Sequence, residues 1–328
     1  MMTRRRSHHP GRDDRPCRFL FLVVVVAVGC DSREAVLDDQ GGRDAWEAGS
    51  GLCPGGWCVI PAGSFVMGSP VDEPCREPLG DKETQHAVTL TRAYEIGQTE
   101  ITRAQFEAVM GYAPAPRPNW PDPQCLDPRC PATNVTSYEA EVCCNALSTS
   151  KGLPRCYSCQ TSDSVLRCTA APGYAAGMIY SCPGYRLPTE AEWERAYRAE
   201  STSALYNGPL LGSCKGADPN ADAIAWYTEN SGNGPHPVAG KQPNAWGLHD
   251  MAGNVEEYCH DAFEWDLGPA AAVDPWGTAP GGGGGPVVVR GGFARSFPQF
   301  LRAAVRDDYD VGSRSPLVGF RCARTITP

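Results

Sequence analysis

Sixteen cysteines are the residues of this 328-residue chain with the most chemistry open to them. A thiol can close a disulfide in an oxidising compartment or, as a thiolate, ligate a soft or borderline metal ion. Cys53/Cys58 and Cys125/Cys130 are spaced as local staples, and Cys156, Cys159, Cys168 and Cys182 form a cluster that suits either nested bridges or zinc. The histidines His86, His236, His249 and His260 stand in no spacing that would put two metal ligands on one helix face. There is no Gly-x-Ser-x-Gly elbow, P-loop or paired zinc motif, so hydrolase and nucleotide readings lack a starting residue.

Holding such residues in place takes a folded body, and 41% hydrophobic with only 20% charged residues is enough for one. The 36 Gly and 30 Pro predict long loops. A formal charge of −9 and an isoelectric point near 5.2 leave no basic surface to meet phosphates, which sets nucleic-acid binding aside.

The N-terminus stands apart. Arg4, Arg5, Arg6, Arg12, Arg15 and Arg18 precede ten apolar residues, 19–28, too few to span a bilayer as a helix, and Gly29 follows. That order describes an export signal over residues 1–29. Residues 26–30, Val-Ala-Val-Gly-Cys, resemble the lipobox of bacterial lipoproteins, which implies a lipid on Cys30, a membrane partner and a place in the cell envelope, on the periplasmic or surface side. An ordinary signal peptide cut elsewhere is the alternative. The signal carries a surplus of four positive charges, so its removal leaves −13, and with Cys17 gone and Cys30 lipidated fourteen cysteines remain, an even number. Residues 30–55 read as a polar tether and 56–328 as one folded domain, with a Cys-rich insertion at about 151–183.

Three helix starts follow from capping boxes, in which a hydroxyl takes one free N–H and a Glu or Gln reaches back to another: Thr102/Gln105, Thr136/Glu139 and Thr189/Glu192. Apolar residues at helical spacing follow each, including Phe106 and Val109, Ala140 and Leu147, and Trp193, Ala196 and Tyr197. Short strands around Pro and Gly begin at Val59, and His86, Val88 and Leu90 alternate as another strand would. The class is α+β with much irregular structure.

These pieces, in order, resemble the formylglycine-generating enzyme, or sulfatase-modifying factor, family. The matching stretches are Ile60-Pro61-Ala62-Gly63-Ser64-Phe65, Thr99-Glu100-Ile101-Thr102, Arg186-Leu187-Pro188-Thr189-Glu190-Ala191-Glu192-Trp193, Asp250-Met251-Ala252-Gly253-Asn254-Val255, Arg290-Gly291-Gly292 and Gly319-Phe320-Arg321-Cys322. The resemblance implies a C-type-lectin-like fold and a Cys144–Cys322 bridge from helix to C-terminal strand; where the family's chain runs on directly, this one inserts about 35 residues with four cysteines, and nested bridges Cys159–Cys168 and Cys156–Cys182 would make that surface insertion a hairpin with a closed base.

It also implies a reaction that this sequence cannot supply. Working members oxidise a substrate cysteine with oxygen on copper(I) held by two cysteines shortly after the Gly-Gly pair. Residues 293–321 contain none, and Ser296 and about Leu301 stand at the expected places. Hydroxyl and alkyl groups do not hold copper(I), so copper is not expected. Calcium is the family's other ion, and its ligands here would be the side chains of Asp250 and Glu257 and the carbonyls of Gly253 and Val255, a set of oxygens that suits it. The alternative is a turn whose acids face water, and Glu256 and Tyr258 replace the tryptophans usual beside it. The reading is a non-oxidising accessory or binding scaffold with a peptide or protein ligand; the alternative is an oxidase or other enzyme using a rearranged site in the same cleft. Cys75, Cys143, Cys214 and Cys259 receive no partner from the sequence.

Overall fold

The computed structural model describes residues 52–76, 81–114, 125–175, 177–277 and 285–327. The export signal, Cys30 and most of the tether lie outside the described residues. The elements run β1 (Trp57–Ile60), β2 (Gly63–Met67), β3 (His86–Leu90), β4 (Tyr94–Gly97), α1 (Arg103–Met110), α2 (Ser137–Ser150), β5 (Tyr157–Ser162), β6 (Val165–Ala170), α3 (Glu190–Arg198), α4 (Pro219–Ile224), β7 (Glu256–Ala262), β8 (Ala272–Val273), β9 (Val287–Arg290), β10 (Arg306–Tyr309), β11 (Val318–Gly319) and β12 (Ala323–Thr325). Among the described residues four small sheets result, ordered β1-β4-β12, β10-β9-β7-β11, β2-β3-β8 and β5-β6. The class is α+β, joined by long irregular connections.

All three capping boxes form, with both reciprocal bonds present at Thr102/Gln105, Thr136/Glu139 and Thr189/Glu192. Short helices need this, because four N–H groups at each start otherwise lack partners. Helix α3 is buried on every side, and Trp193 is fully enclosed. Its three glutamates face three different parts of the chain. Glu190 pairs with Arg306 of β10, Glu192 with Arg186, and Glu194 with both Arg198 and Arg290 of β9. Each buried carboxylate is thereby neutralised, which is the condition for keeping a charge away from water.

Among the described residues five disulfides are present: Cys53–Cys58, Cys125–Cys130, Cys156–Cys182, Cys159–Cys168 and Cys75–Cys214. The first of these moves the start of the folded body. Cys53 is wholly buried and the bridge ties it to β1, so the ordered domain begins before residue 56 and the last residues assigned to the tether belong to it. In the Cys-rich segment the inner bridge joins directly opposed residues of the β5-β6 hairpin and the outer one closes its base. Cys144 and Cys322 do not form a bond in this structure. They are free thiols whose Sγ atoms face each other 2.9 Å apart in the core.

Candidate functional site

The loop after β9 is where the family's chemistry would reside. Gly291 and Gly292 both take positive φ, and a Cβ on Gly292 would stand 2.7 Å from the Phe300 carbonyl, so the chain can fold back on itself only with glycine there. The hydroxyl of Ser296 is turned inward, accepting the Phe293 N–H at 3.0 Å, while its carbonyl receives the Thr228 N–H. Leu301 is fully buried, and its carbonyl accepts the Tyr197 hydroxyl at 2.7 Å. Neither side chain is offered to a ligand. Both do the work of packing.

Two braces hold this loop. Arg302 spans from it to Glu73 and Glu83 at 2.7–2.8 Å, and Gln299 donates to the carbonyl of Cys214, itself bridged to Cys75. The Arg302 guanidinium holds the Glu83 carboxyl below the usual range, outweighing the burial that would raise it.

Beneath the neighbouring turn lies a buried acidic pocket. Gly253 has φ +74, and a Cβ there would strike the Trp226 carbonyl; Asp250 and Asn254 also take left-handed φ. The turn buries Asp250 and points Glu257, the second residue of β7, into the core. Asp250 Oδ2 accepts the Ala239 N–H at 2.6 Å, and its Oδ1 is buried without a hydrogen-bond partner. Glu100 comes in from the Thr99-Glu100-Ile101-Thr102 segment. Its Oε1 accepts the Asn254 amide at 2.9 Å, and its Oε2 is likewise without a partner. Burial, then the charges of Asp250 and Glu257, push the Glu100 carboxyl well above the usual range, and burial pushes Asp250 up to about 6.

Glu257 differs from the role the sequence assigns it. Arg321 grips it with Nε and Nη2, each at 2.6 Å, and Trp193 donates to the same carboxylate at 2.8 Å. Both oxygens are engaged, so of the two proposed side-chain ligands only Asp250 has an uncommitted oxygen, and Glu100 supplies the other. Glu100 and Arg321 each lie in a recognised stretch, but nothing in their local spacing says that they meet.

Cys143, Cys144, Cys259 and Cys322 are free and buried, and burial raises the thiols of the first three. A buried, protonated thiol is a poor nucleophile and a poor metal ligand. Each of the four described histidines is bound separately: His86 to the Thr84 carbonyl, His236 to that of Ser231, His249 to that of Lys241 and His260 to the Tyr157 hydroxyl.

The profile of the sulfatase-modifying factor enzyme 1-like domain matches residues 53–326. The chaperone protein LppX of Paenibacillus barcinonensis is 31% identical over 222 residues, which cover 60% of this chain and 70% of that protein. The formylglycine-generating enzyme of Thermomonospora curvata is 34% identical over 155 residues, 43% of this chain and 49% of the enzyme. The chain thus spans about half of that enzyme. Among solved structures, Treponema denticola variable protein 1 aligns with a TM-score of 0.65 at 27% identity, covering 82% of this chain and 94% of its own. With a profile match across nearly the whole ordered body, on a lectin-like α+β fold with the Gly-Gly loop in place, this chain belongs to the sulfatase-modifying factor enzyme 1-like family.

Proposed function

We propose that the chain is an exported lipoprotein, anchored in the cell envelope through Cys30, whose domain acts as a binding or accessory scaffold and does not oxidise cysteine. The observation carrying this reading is the loop after β9, where Ser296 is turned inward and Leu301 is buried at about the places the resemblance gives the ligands. Copper(I) needs soft thiolates, and the free thiols among the described residues are buried in the core. The relative named a chaperone supports a partner that is a peptide or another protein. When the protein is supplied with copper(I), oxygen and a sulfatase-type cysteine peptide, mass spectrometry should find the peptide cysteine unchanged. Turnover above a metal-free control would overturn the scaffold reading in favour of a rearranged oxidase. The anchor is tested separately: the membrane fraction should yield an N-terminal peptide acylated on Cys30, and a soluble chain cut elsewhere would refute it.

Calcium is proposed for the acidic pocket. The orphaned oxygens of Asp250 and Glu100 fit a hard cation that takes several oxygens in flexible geometry, and the carbonyls of Gly253 and Val255 would complete the set, with Glu257 held by Arg321. The ion would relieve the repulsion between these buried carboxylates. Millimolar calcium should therefore raise the melting temperature by several degrees relative to a chelator, an order of magnitude set by linkage. In Asp250→Asn that rise should vanish. An equal rise in the variant would place the ion elsewhere.

A further inference from the structure

Helix α2 and the β5-β6 hairpin enclose a donor set that none of the chemistry above uses. Glu141 lies on α2 with 1% of its surface exposed, and its Oε2 has no hydrogen-bond partner. Opposite it are the directly paired Cys159 and Cys168. One carboxylate oxygen and the two sulfurs all lie within 4.8 Å of one another, the only such trio among the described residues. The two halves of this cluster are registered by contacts that do not involve the bridge. Asn145, one turn along α2, donates to the Tyr157 carbonyl at 2.9 Å and accepts the Tyr157 N–H at 3.1 Å.

While Cys159 and Cys168 are bonded to each other, their sulfurs have no charge to offer a cation. Glu141 is then a buried acid facing a disulfide, and burial alone pushes its carboxyl up to about 8. Cleaving the bridge changes the chemistry of the cluster. Two thiolates and one carboxylate are a donor set for zinc, whose tetrahedral sites take sulfur at about 2.3 Å and oxygen at about 2.0–2.2 Å. Cys168 is buried and Cys159 partly exposed, so the fourth position would open toward water on the Cys159 side.

We propose that Glu141, Cys159 and Cys168 form a redox-gated zinc site, open when the hairpin bridge is reduced and closed when it is formed. A dithiol reductant carries the step. Its thiolate attacks one sulfur of the bridge, its second thiol resolves the mixed disulfide, and it departs as its own disulfide, leaving two thiols on the hairpin. Zinc then displaces the protons of both thiols and of the Glu141 carboxyl. A disulfide oxidant reverses the exchange and expels the ion.

The test uses the folded chain treated with a dithiol, with zinc binding read by competition against a chromogenic chelator. Reduced wild type should take up one zinc that the oxidised protein does not. The isosteric Glu141→Gln, which removes no hydrogen bond from Oε2, should bind that zinc at least about tenfold more weakly with its melting temperature unchanged, in line with loss of one ligand. Cobalt(II) in place of zinc should give tetrahedral d–d bands and thiolate charge-transfer bands that Cys159→Ser/Cys168→Ser lacks. No zinc uptake by the reduced protein would overturn the proposal. So would equal uptake by the double serine variant, which would assign the metal to other thiols, or undiminished affinity in Glu141→Gln.

Discussion

Arg321→Met should cost the fold about 3–5 kcal/mol, the range for removing one partner of a buried ion pair. The guanidinium is fully buried and spends every nitrogen, on both oxygens of Glu257 and on the carbonyls of Gly97 and His249. Methionine of similar length fills the space but leaves Glu257 charged and enclosed, in a pocket where Glu100 and Asp250 already repel it. Denaturant titration in the presence of a chelator measures the loss without help from a bound cation. Adding Glu257→Gln should recover much of it, since the stranded charge is then gone. A single-variant loss below about 1 kcal/mol would show that water reaches the pocket.

Serine at Cys75 and Cys214 should be comparably damaging. The two cysteines are 139 residues apart, and on the chain-entropy model a loop of that length contributes about 5 kcal/mol, which native strain can only reduce. The loss has a local side as well. Cys214 accepts from Gln299, and Glu73 meets Arg302, so freeing the bridge loosens both supports of the loop after β9. Non-reducing peptide mapping of the oxidised protein should recover the Cys75–Cys214 peptide, and also one joining Cys144 to Cys322, whose sulfurs need only close from 2.9 Å. A double-serine variant unfolding within about 1 kcal/mol of wild type would mean that the denatured chain is already compact there.

What the sequence disclosed follows the range of each interaction. Capping boxes act over three residues, and all three could be read off as Thr-x-x-Gln or Thr-x-x-Glu. The staples Cys53–Cys58 and Cys125–Cys130 are as local, whereas Cys75–Cys214 joins two loops with no motif around either cysteine. The site divides in the same way. Asp250 and Glu257 belong to one turn and were visible together. Glu100 and Arg321 come from distant stretches, and the pairing that commits Glu257 to Arg321 rather than to a cation exists only once β4, β7 and the C-terminal segment have packed.

The arrangement of α3 also bears on how such a sequence can drift. Its glutamates at alternate positions are each held by arginines: Arg306 of β10, Arg186 just before the helix, and Arg198 of the helix itself together with Arg290 of β9. A change at any one of them weakens the pairing of a buried charge, so replacements are best tolerated as matched couples, some local and some drawn from β9 and β10. The fold thus ties the mutability of this helix to that of β9 and β10, whose arginines can change only together with its glutamates.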